Sequence, residues 1–265
     1  MTTPSRRAAL LLWQHRQAGT VLDALPAALR PHDAAAGLAI QAELPAVADD
    51  RAIGWKIAAT SSAGQAHIGV GGPLPGRILA GFVHAPGATV PLAGNRMRVV
   101  EPEIAFRFAV DLPPQAAPRG VGEVLAAVAS VHPAFEVPDS RLADFARAGE
   151  AQLLADDACC GRFVFGAAAP EGWRELDLST LAVHATITRT DGTPRLAREG
   201  SGQAVLGDPR IALAWLVNAL SAHGLALHAG DTVSTGTCMV PLAVEPGDQV
   251  QADYGPLGRL TLRLA

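Results

Sequence analysis

Charge is scarce in this sequence. Only 17% of its 265 residues are charged, and 21 basic against 25 acidic side chains leave a formal net charge of −4. That balance offers no broad basic surface to a phosphate backbone, so no nucleic-acid partner is expected. At 49% hydrophobic, the chain is also far from the polar, highly charged composition of a disordered protein. Cysteine is rarer still: Cys159, Cys160 and Cys238. An odd count with an adjacent pair is a poor disulfide framework and lacks the spacing of a structural zinc site. Reduced thiols in a cytoplasmic protein are the plain expectation. No apolar run reaches the roughly 20 residues that span a bilayer, and Asn218 breaks Ile211–Leu220. Met1–Arg7 followed by Ala8–Trp13 has the outline of a signal peptide. Charge returns at His15 and Arg16 with no small-residue cleavage site, so an amphipathic helix is expected instead. Gly69-Val70-Gly71-Gly72 lacks the spacing of a dinucleotide fingerprint, and there is no Walker A motif or Gly-x-Ser-x-Gly elbow.

What is present divides near residue 50. The first stretch, 1–50, is rich in Ala, Leu, Arg and Asp, and its apolar spacing predicts helices over Ser5–Ala18 and His32–Ala46. From 51 to 265 short β-type runs take over, punctuated by Gly, Pro and Asp: Ile53–Ala58, Thr89–Pro91, Glu103–Val110, Ala134–Val137, Ala182–Arg189, Asp231–Ser234, Asp248–Ala252 and Leu260–Leu264. Two helices are expected among them. One is Gly120–Ser130. The other is Asp208–His223, with Asp208 as N-cap, Pro209 at the first helical position and Gly224 beyond the end. The expected class is α+β: a helical N-terminal segment followed by a sheet-rich catalytic domain of mostly antiparallel or mixed strands.

Chemistry concentrates in Val99-Val100-Glu101-Pro102-Glu103-Ile104-Ala105-Phe106. Carboxylates at i and i+2 of an extended segment share one face. Their neighbours are apolar, and two like charges in an enclosed setting need a counter-charge. A hard divalent cation supplies one, since Mg2+ and Mn2+ prefer carboxylate oxygen and keep positions open for substrate. Glu136, in the apolar run Pro133-Ala134-Phe135-Glu136-Val137, is a third candidate ligand. A solvated strand face is the plainer reading of Glu-x-Glu, and spacing does not establish that the three converge.

The chain resembles the 2-keto-4-pentenoate hydratase / 4-oxalocrotonate decarboxylase group of the fumarylacetoacetate hydrolase superfamily from about Gly54 onward. The resemblance rests on Gly54-Trp55-Lys56-Ile57 with Thr60-Ser61 and Gly69-Val70, and on Glu101-Pro102-Glu103. It is extended by Phe135-Glu136-Val137 with Asp139-Ser140-Arg141, by Leu206-Gly207-Asp208-Pro209, and by Gly230-Asp231 with Thr235-Gly236-Thr237. It implies a mixed β-sheet roll with flanking helices, a Mg2+ or Mn2+ site on Glu101, Glu103 and Glu136, and a homo-oligomer. It also implies a small 2-oxo or 2-hydroxydienoic acid that chelates the metal.

Lys56 is then the candidate catalytic group, holding the substrate carboxylate or enolate or shuttling a proton; a lysine snorkelling at a strand end is the alternative. His132, four residues before Glu136, is a second candidate, against a satisfied structural histidine. Ser61 and Gln65, on an expected lid, and the hydroxyls of Thr235 and Thr237 are candidates for binding substrate. The chain departs from the hydratases at Ala80 and Gly81, where they usually carry acidic residues. It departs again at Ala155-Asp156-Asp157-Ala158-Cys159, where they usually read Ala-Asp-Asn-Ala-Ser. Hydration of a 2-hydroxy-2,4-dienoate is the leading expectation. A 2-oxo acid decarboxylase or tautomerase, an acylpyruvate-type C–C hydrolase and a non-catalytic partner subunit are the alternatives.

Overall fold

The computed structural model describes residues 2–265. Three helices open the chain: α1 (Pro4–Ala18), α2 (Ala34–Gln41) and α3 (Leu44–Ala48). Thr3 caps α1 by accepting from the Arg6 N–H, and Asp33 caps α2 through Ala36. The single helix expected over His32–Ala46 is two helices. Pro45 has no N–H to give and disfavours helical backbone before it, so the chain breaks at Ala42–Glu43 and restarts with Pro45 in the first turn of α3.

β1 (Ala52–Ala58) leads through α4 (Ser62–Ile68) to β2 (Leu74–Leu79). The short strands β3 (Val83–His84) and β4 (Thr89–Val90) precede two ten-residue strands, β5 (Val99–Phe108) and β6 (Val128–Val137), with α5 (Val121–Ala126) between them. Next come α6 (Glu150–Ala155), β7 (Arg162–Phe165), the hairpin β8 (Ala182–Thr188) and β9 (Pro194–Ser201), and α7 (Pro209–Ala222). The chain closes with β10 (Thr232–Thr237), β11 (Leu242–Ala243), β12 (Gln249–Asp253) and β13 (Arg259–Leu264). The helix expected over Gly120–Ser130 stops at Ala126. Val128–Ser130 is claimed by β6, which pairs with β5 along its whole length, so the ladder overrides a weak local preference. Helix α7 matches expectation, with Asp208 accepting from Arg210 N and Pro209 in its first turn.

The main sheet runs β2-β1-β10-β5-β6-β7-β3, with β11 beside β5, and mixes parallel β1–β10 and β3–β7 pairs with antiparallel neighbours. A second sheet runs β4-β13-β12-β8-β9. The outer strands β2 and β3 are joined by residues 80–82 alone, a span of roughly 14 Å at most, so the main sheet must curl. Packing shows the same: Ile78 of β2 and Phe163 of β7, near opposite edges, share one apolar cluster.

Alternation divides the residues of β5. Val100, Ile104, Phe106 and Phe108 face the large core with Leu213, Leu216, Val217 and Leu220 of α7. Glu101 and Glu103 face the concave side. The N-terminal helices close over that side: Leu44 packs with Ile78, Leu79 and Phe163, and Leu12 and Ile40 pack with Ala155.

Strand β2, which contains Pro75-Gly76, is not among the strands expected from the sequence. As an edge strand it tolerates proline. Its free edge is sealed by a loop rather than a strand. Asp157 Oδ1 accepts from Arg77 N at 2.6 Å, and the Cys160 thiol donates to Arg77 O at 3.1 Å. Three consecutive left-handed residues, Asp157, Ala158 and Cys159, turn that loop tightly enough to present both groups. Among the described residues no helix is long and apolar enough to cross a membrane.

Candidate metal centre

The antiparallel register of β5 and β6 sets Glu101 directly opposite Glu136, and Glu103 follows two residues along the same face. One ligand atom from each of Glu101, Glu103 and Glu136 lies within 4.8 Å of the other two. Glu103 and Glu136 are each 1% exposed, and Lys56, on β1, is 2% exposed with its Nζ 3.3 Å from Glu136 Oε1. The three expected ligands and Lys56 are therefore brought together.

Backbone and side-chain donors fix the carboxylates. Glu103 Oε2 accepts from the Ser234 hydroxyl and from Gly236 N at 3.1 Å, and Glu136 Oε1 accepts from Gly161 N at 3.2 Å. Glu103 Oε1 is buried with no hydrogen-bond partner. The Ser234–Gly236 turn depends on glycine: Gly236 has φ +104, and a Cβ there would lie 2.2 Å from the Thr60 hydroxyl oxygen.

Electrostatics show what partner the site suits. Burial, reinforced by Glu136, pushes the Glu101 carboxyl up to about 7 against the pull of Lys56. Burial, then Glu136 and Glu101, hold Glu103 well above the usual carboxylate range. Burial raises Glu136 too, while Lys56 and the Gly161 N–H oppose it. For Lys56, burial works to lower the ammonium, but Glu136 first, then Cys160, Glu101 and Cys159, together outweigh it and the proton is held more tightly than usual. With all three ionised, the carboxylates exceed the one ammonium by two negative charges, and the raised carboxyls show that the site resists that state without a counter-charge. Burying each such charge costs several kcal/mol. A divalent cation matches that excess in charge, the donors in hardness, and the orphaned Glu103 Oε1 in need of a partner.

The other expected site residues are elsewhere or otherwise engaged. His132 is on β6 roughly 13 Å along the strand from Glu136. Its ring nitrogens meet Ser130 Oγ at 2.8 Å and Gly166 O at 2.9 Å, so it does not join the carboxylates. Ser61 caps α4 through Gly64 N, and Gln65 donates to Ala59 O. The Thr235 hydroxyl donates to Ile104 O, and that of Thr237 to Met239 O. Sequence reasoning passed over Ser234 and Gly161, and met Gly236 only as part of the Thr235-Gly236-Thr237 run. Ser234 carried a signal, at the end of the expected strand Asp231–Ser234 and two residues from Gly236; Gly161 carried none. The cysteines are free and buried; burial, with Asp156, pushes the Cys159 thiol up to about 12, which suits an inert residue.

Known proteins carry similar chains. A 2-keto-4-pentenoate hydratase of Paraburkholderia phymatum is 34% identical over 229 residues, covering 85% of this chain and 84% of that protein. A 4-oxalocrotonate decarboxylase of a Pseudomonas species is 33% identical over 213 residues, covering 80% of this chain and 78% of that protein. Among solved structures, the 4-oxalocrotonate decarboxylase of Pseudomonas putida G7, complexed with magnesium and adipate, superimposes with a TM-score of 0.87 at 26% identity. The match covers 100% of this chain and 99% of that one. Residues 80–265, which hold all three carboxylates, match the fumarylacetoacetate (FAA) hydrolase C-terminal family, and the chain belongs to that family.

Proposed function

We propose that the chain is a divalent-metal-dependent hydratase that adds water to a 2-hydroxy-2,4-dienoate to give a 4-hydroxy-2-oxo acid. The observation that carries this reading is the convergence of Glu101, Glu103 and Glu136 beside Lys56 on a buried sheet face. The relatives named as hydratases support it. Glu101, Glu103 and Glu136 would hold Mg2+ or Mn2+, which supplies Lewis-acid polarisation of the 2-oxo oxygen when bound. Ser234 and the Gly236 N–H engage one oxygen of Glu103 and leave the other free for a ligand. Lys56 Nζ, charged and facing the same space, is placed to steady a substrate carboxylate or enolate oxygen. In the reaction the dienol gains a proton at C5 as its 2-hydroxyl loses one. Water then adds across C3=C4, with hydroxide to C4 and a proton to C3. The surrounding apolar faces keep other water away from the enolate.

A second reading, decarboxylation of a 4-oxalocrotonate-type 2-oxo diacid on the same residues, is favoured by two observations. The acidic pair usual in hydratases is absent at Ala80 and Gly81, where the Gly81 N–H is instead held by Asp50 Oδ2 at 2.7 Å. The fold also follows a decarboxylase along its whole length. For hydrolysis of an acylpyruvate, the His184–Glu199 pair lies exposed on the β8–β9 hairpin of the second sheet, away from the carboxylates, and lends that reading no support. We further place the enzyme in the cytoplasm as a homo-oligomer, consistent with its free thiols; light scattering after gel filtration tests the assembly.

The deciding experiment supplies metal-loaded protein with 2-hydroxypenta-2,4-dienoate and, separately, with 4-oxalocrotonate. Loss of dienoate absorbance with a 4-hydroxy-2-oxo product supports hydration. Release of CO2 from the diacid with no dienoate turnover supports the second reading. Metal binding without either reaction points to a non-catalytic partner subunit.

A further inference from the structure

We propose that Arg16, on the N-terminal helix α1 and outside the family-matched region, is a positioning residue for the metal centre, acting through one peptide unit. This rests on the metal reading above. The guanidinium Nη2 donates to the Cys160 carbonyl at 2.8 Å. The same peptide unit presents its other end, the Gly161 N–H, to Glu136 Oε1 at 3.2 Å. Guanidinium, carbonyl, amide and carboxylate thus form one chain of aligned dipoles. A cation on the carbonyl oxygen polarises the peptide and strengthens the bond its N–H gives.

Both ends of the chain are held. At the outer end the guanidinium lies over the Phe82 ring, 5.0 Å from its centroid, and Trp13, three residues earlier on α1, stacks on the same ring with centroids 6.3 Å apart. At the inner end Gly161 admits no side chain: a Cβ would lie 1.9 Å from Val137 O, so the peptide sits flush against the strand that carries Glu136. Cys160 is fully buried and its thiol is tied to Arg77 O, so the peptide cannot tilt without breaking the sealed edge of β2. Arg16 therefore does for Glu136 what an outer-shell partner does for a metal ligand: it fixes which way the carboxylate points. Its consequence is that the helical segment, remote in sequence, sets metal affinity.

The test is calorimetric titration of Mn2+ into metal-free protein, with thermal unfolding of the same samples. Arg16→Gln is expected to weaken Mn2+ by about 10-fold or more, in the range found for outer-shell partners. Arg16→Lys, which keeps the charge, is expected to recover part of that loss. Phe82→Leu, which removes the ring beneath the guanidinium together with its stack on Trp13 but keeps an apolar side chain in the cluster, is expected to weaken Mn2+ by a smaller factor. Arg6→Gln is the control: it breaks the Arg6–Glu43 ion pair on the same helix, 3.2 Å long, without touching the chain of dipoles, and is expected to keep the wild-type Kd. Wild-type Kd in Arg16→Gln overturns the proposal. Equal weakening in Arg6→Gln also overturns it, because the effect is then loosening of the helix. Should Arg16→Gln fail to fold, Arg16→Lys and Phe82→Leu both binding as wild type overturns it equally. A wild-type protein that binds no Mn2+ sinks the metal reading itself, a result distinct from all of these.

Discussion

Lys56 and Glu136 make a 3.3 Å ion pair although two strands, β10 and β5, separate their own strands in the sheet. Across a flat sheet that separation is roughly 14 Å. The contact exists because both side chains point into the concave face, so the pair measures the curl of the sheet as well as the chemistry of the site.

Breaking the pair isolates a buried carboxylate. Lys56→Met is expected to destabilise the metal-free protein by about 3–5 kcal/mol. Saturating Mn2+ is expected to restore part of it, because binding to the folded state alone adds stability. Urea unfolding with and without Mn2+ checks both. A loss that Mn2+ leaves untouched contradicts the shared role of Lys56 and the cation.

Glu103→Gln keeps an acceptor for Ser234 and Gly236 but removes a ligand charge. Its Mn2+ Kd, with oxalate present to mimic the head of a 2-oxo acid, is expected to rise at least about 100-fold, beyond the usual effect of outer-shell partners. The metal-free variant is expected to melt at or above the wild-type Tm, since a buried like-charge contact is relieved. Titration calorimetry and circular dichroism measure the two. A retained Kd rules Glu103 out as a ligand.

His132→Ala should behave as a structural change. Loss of the bonds to Ser130 and Gly166 is expected to lower stability by about 1–3 kcal/mol. Metal affinity and turnover should stay within about threefold, a change worth under 1 kcal/mol. A large fall in kcat at unchanged Tm would restore it as a catalytic residue.

Stability should fall with rising pH on account of Asp157. Burial raises its carboxyl to about 7, against the Arg77 N–H and the nearby Arg16 and Lys56, whereas the unfolded chain titrates near 4. Between those values the folded state binds more protons. The contribution of this group is thus unpenalised below about 4, declines toward 7, and is level above. The slope is at most about 1.4 kcal/mol per pH unit. Asp157→Asn keeps a carbonyl for Arg77 N and removes the slope, so its advantage over wild type should be larger at pH 7.5 than at pH 4.5. An equal gap at the two pH values contradicts this.

The carboxylate cluster was legible in part: strand alternation places Glu101 and Glu103 on one face with apolar neighbours, although a solvated face was the plainer reading of that pattern by itself. Convergence with Glu136 could not be read, since it depends on the register of β5 against β6, which no short-range rule encodes. Strand β2 escaped because Pro75-Gly76 reads as a turn unless one knows that it is an edge. The hydroxyls of Thr235 and Thr237 were attractive as chemistry, yet the backbone uses both. Arg16 and Gly161 left no signal at all. Gly161 offers an amide and Arg16 meets a carbonyl, groups that every residue has, so only their placement in the fold distinguishes them.

One pairing described above bears on how the protein is made. Strand β1, which carries Lys56, lies between β2 and β10, and β10 is among the last elements of the chain. During synthesis at roughly 5–20 residues per second, β1 waits on the order of ten to thirty-five seconds for its partner to be made. Until then Trp55 and Ile57 lack part of their core and one edge of β1 is open. The nascent chain thus carries a sticky, half-built sheet through most of its translation. Slowing elongation between β2 and β10 lengthens that exposure, so the yield of active enzyme should depend on holdase chaperones more than the stability of the finished fold suggests.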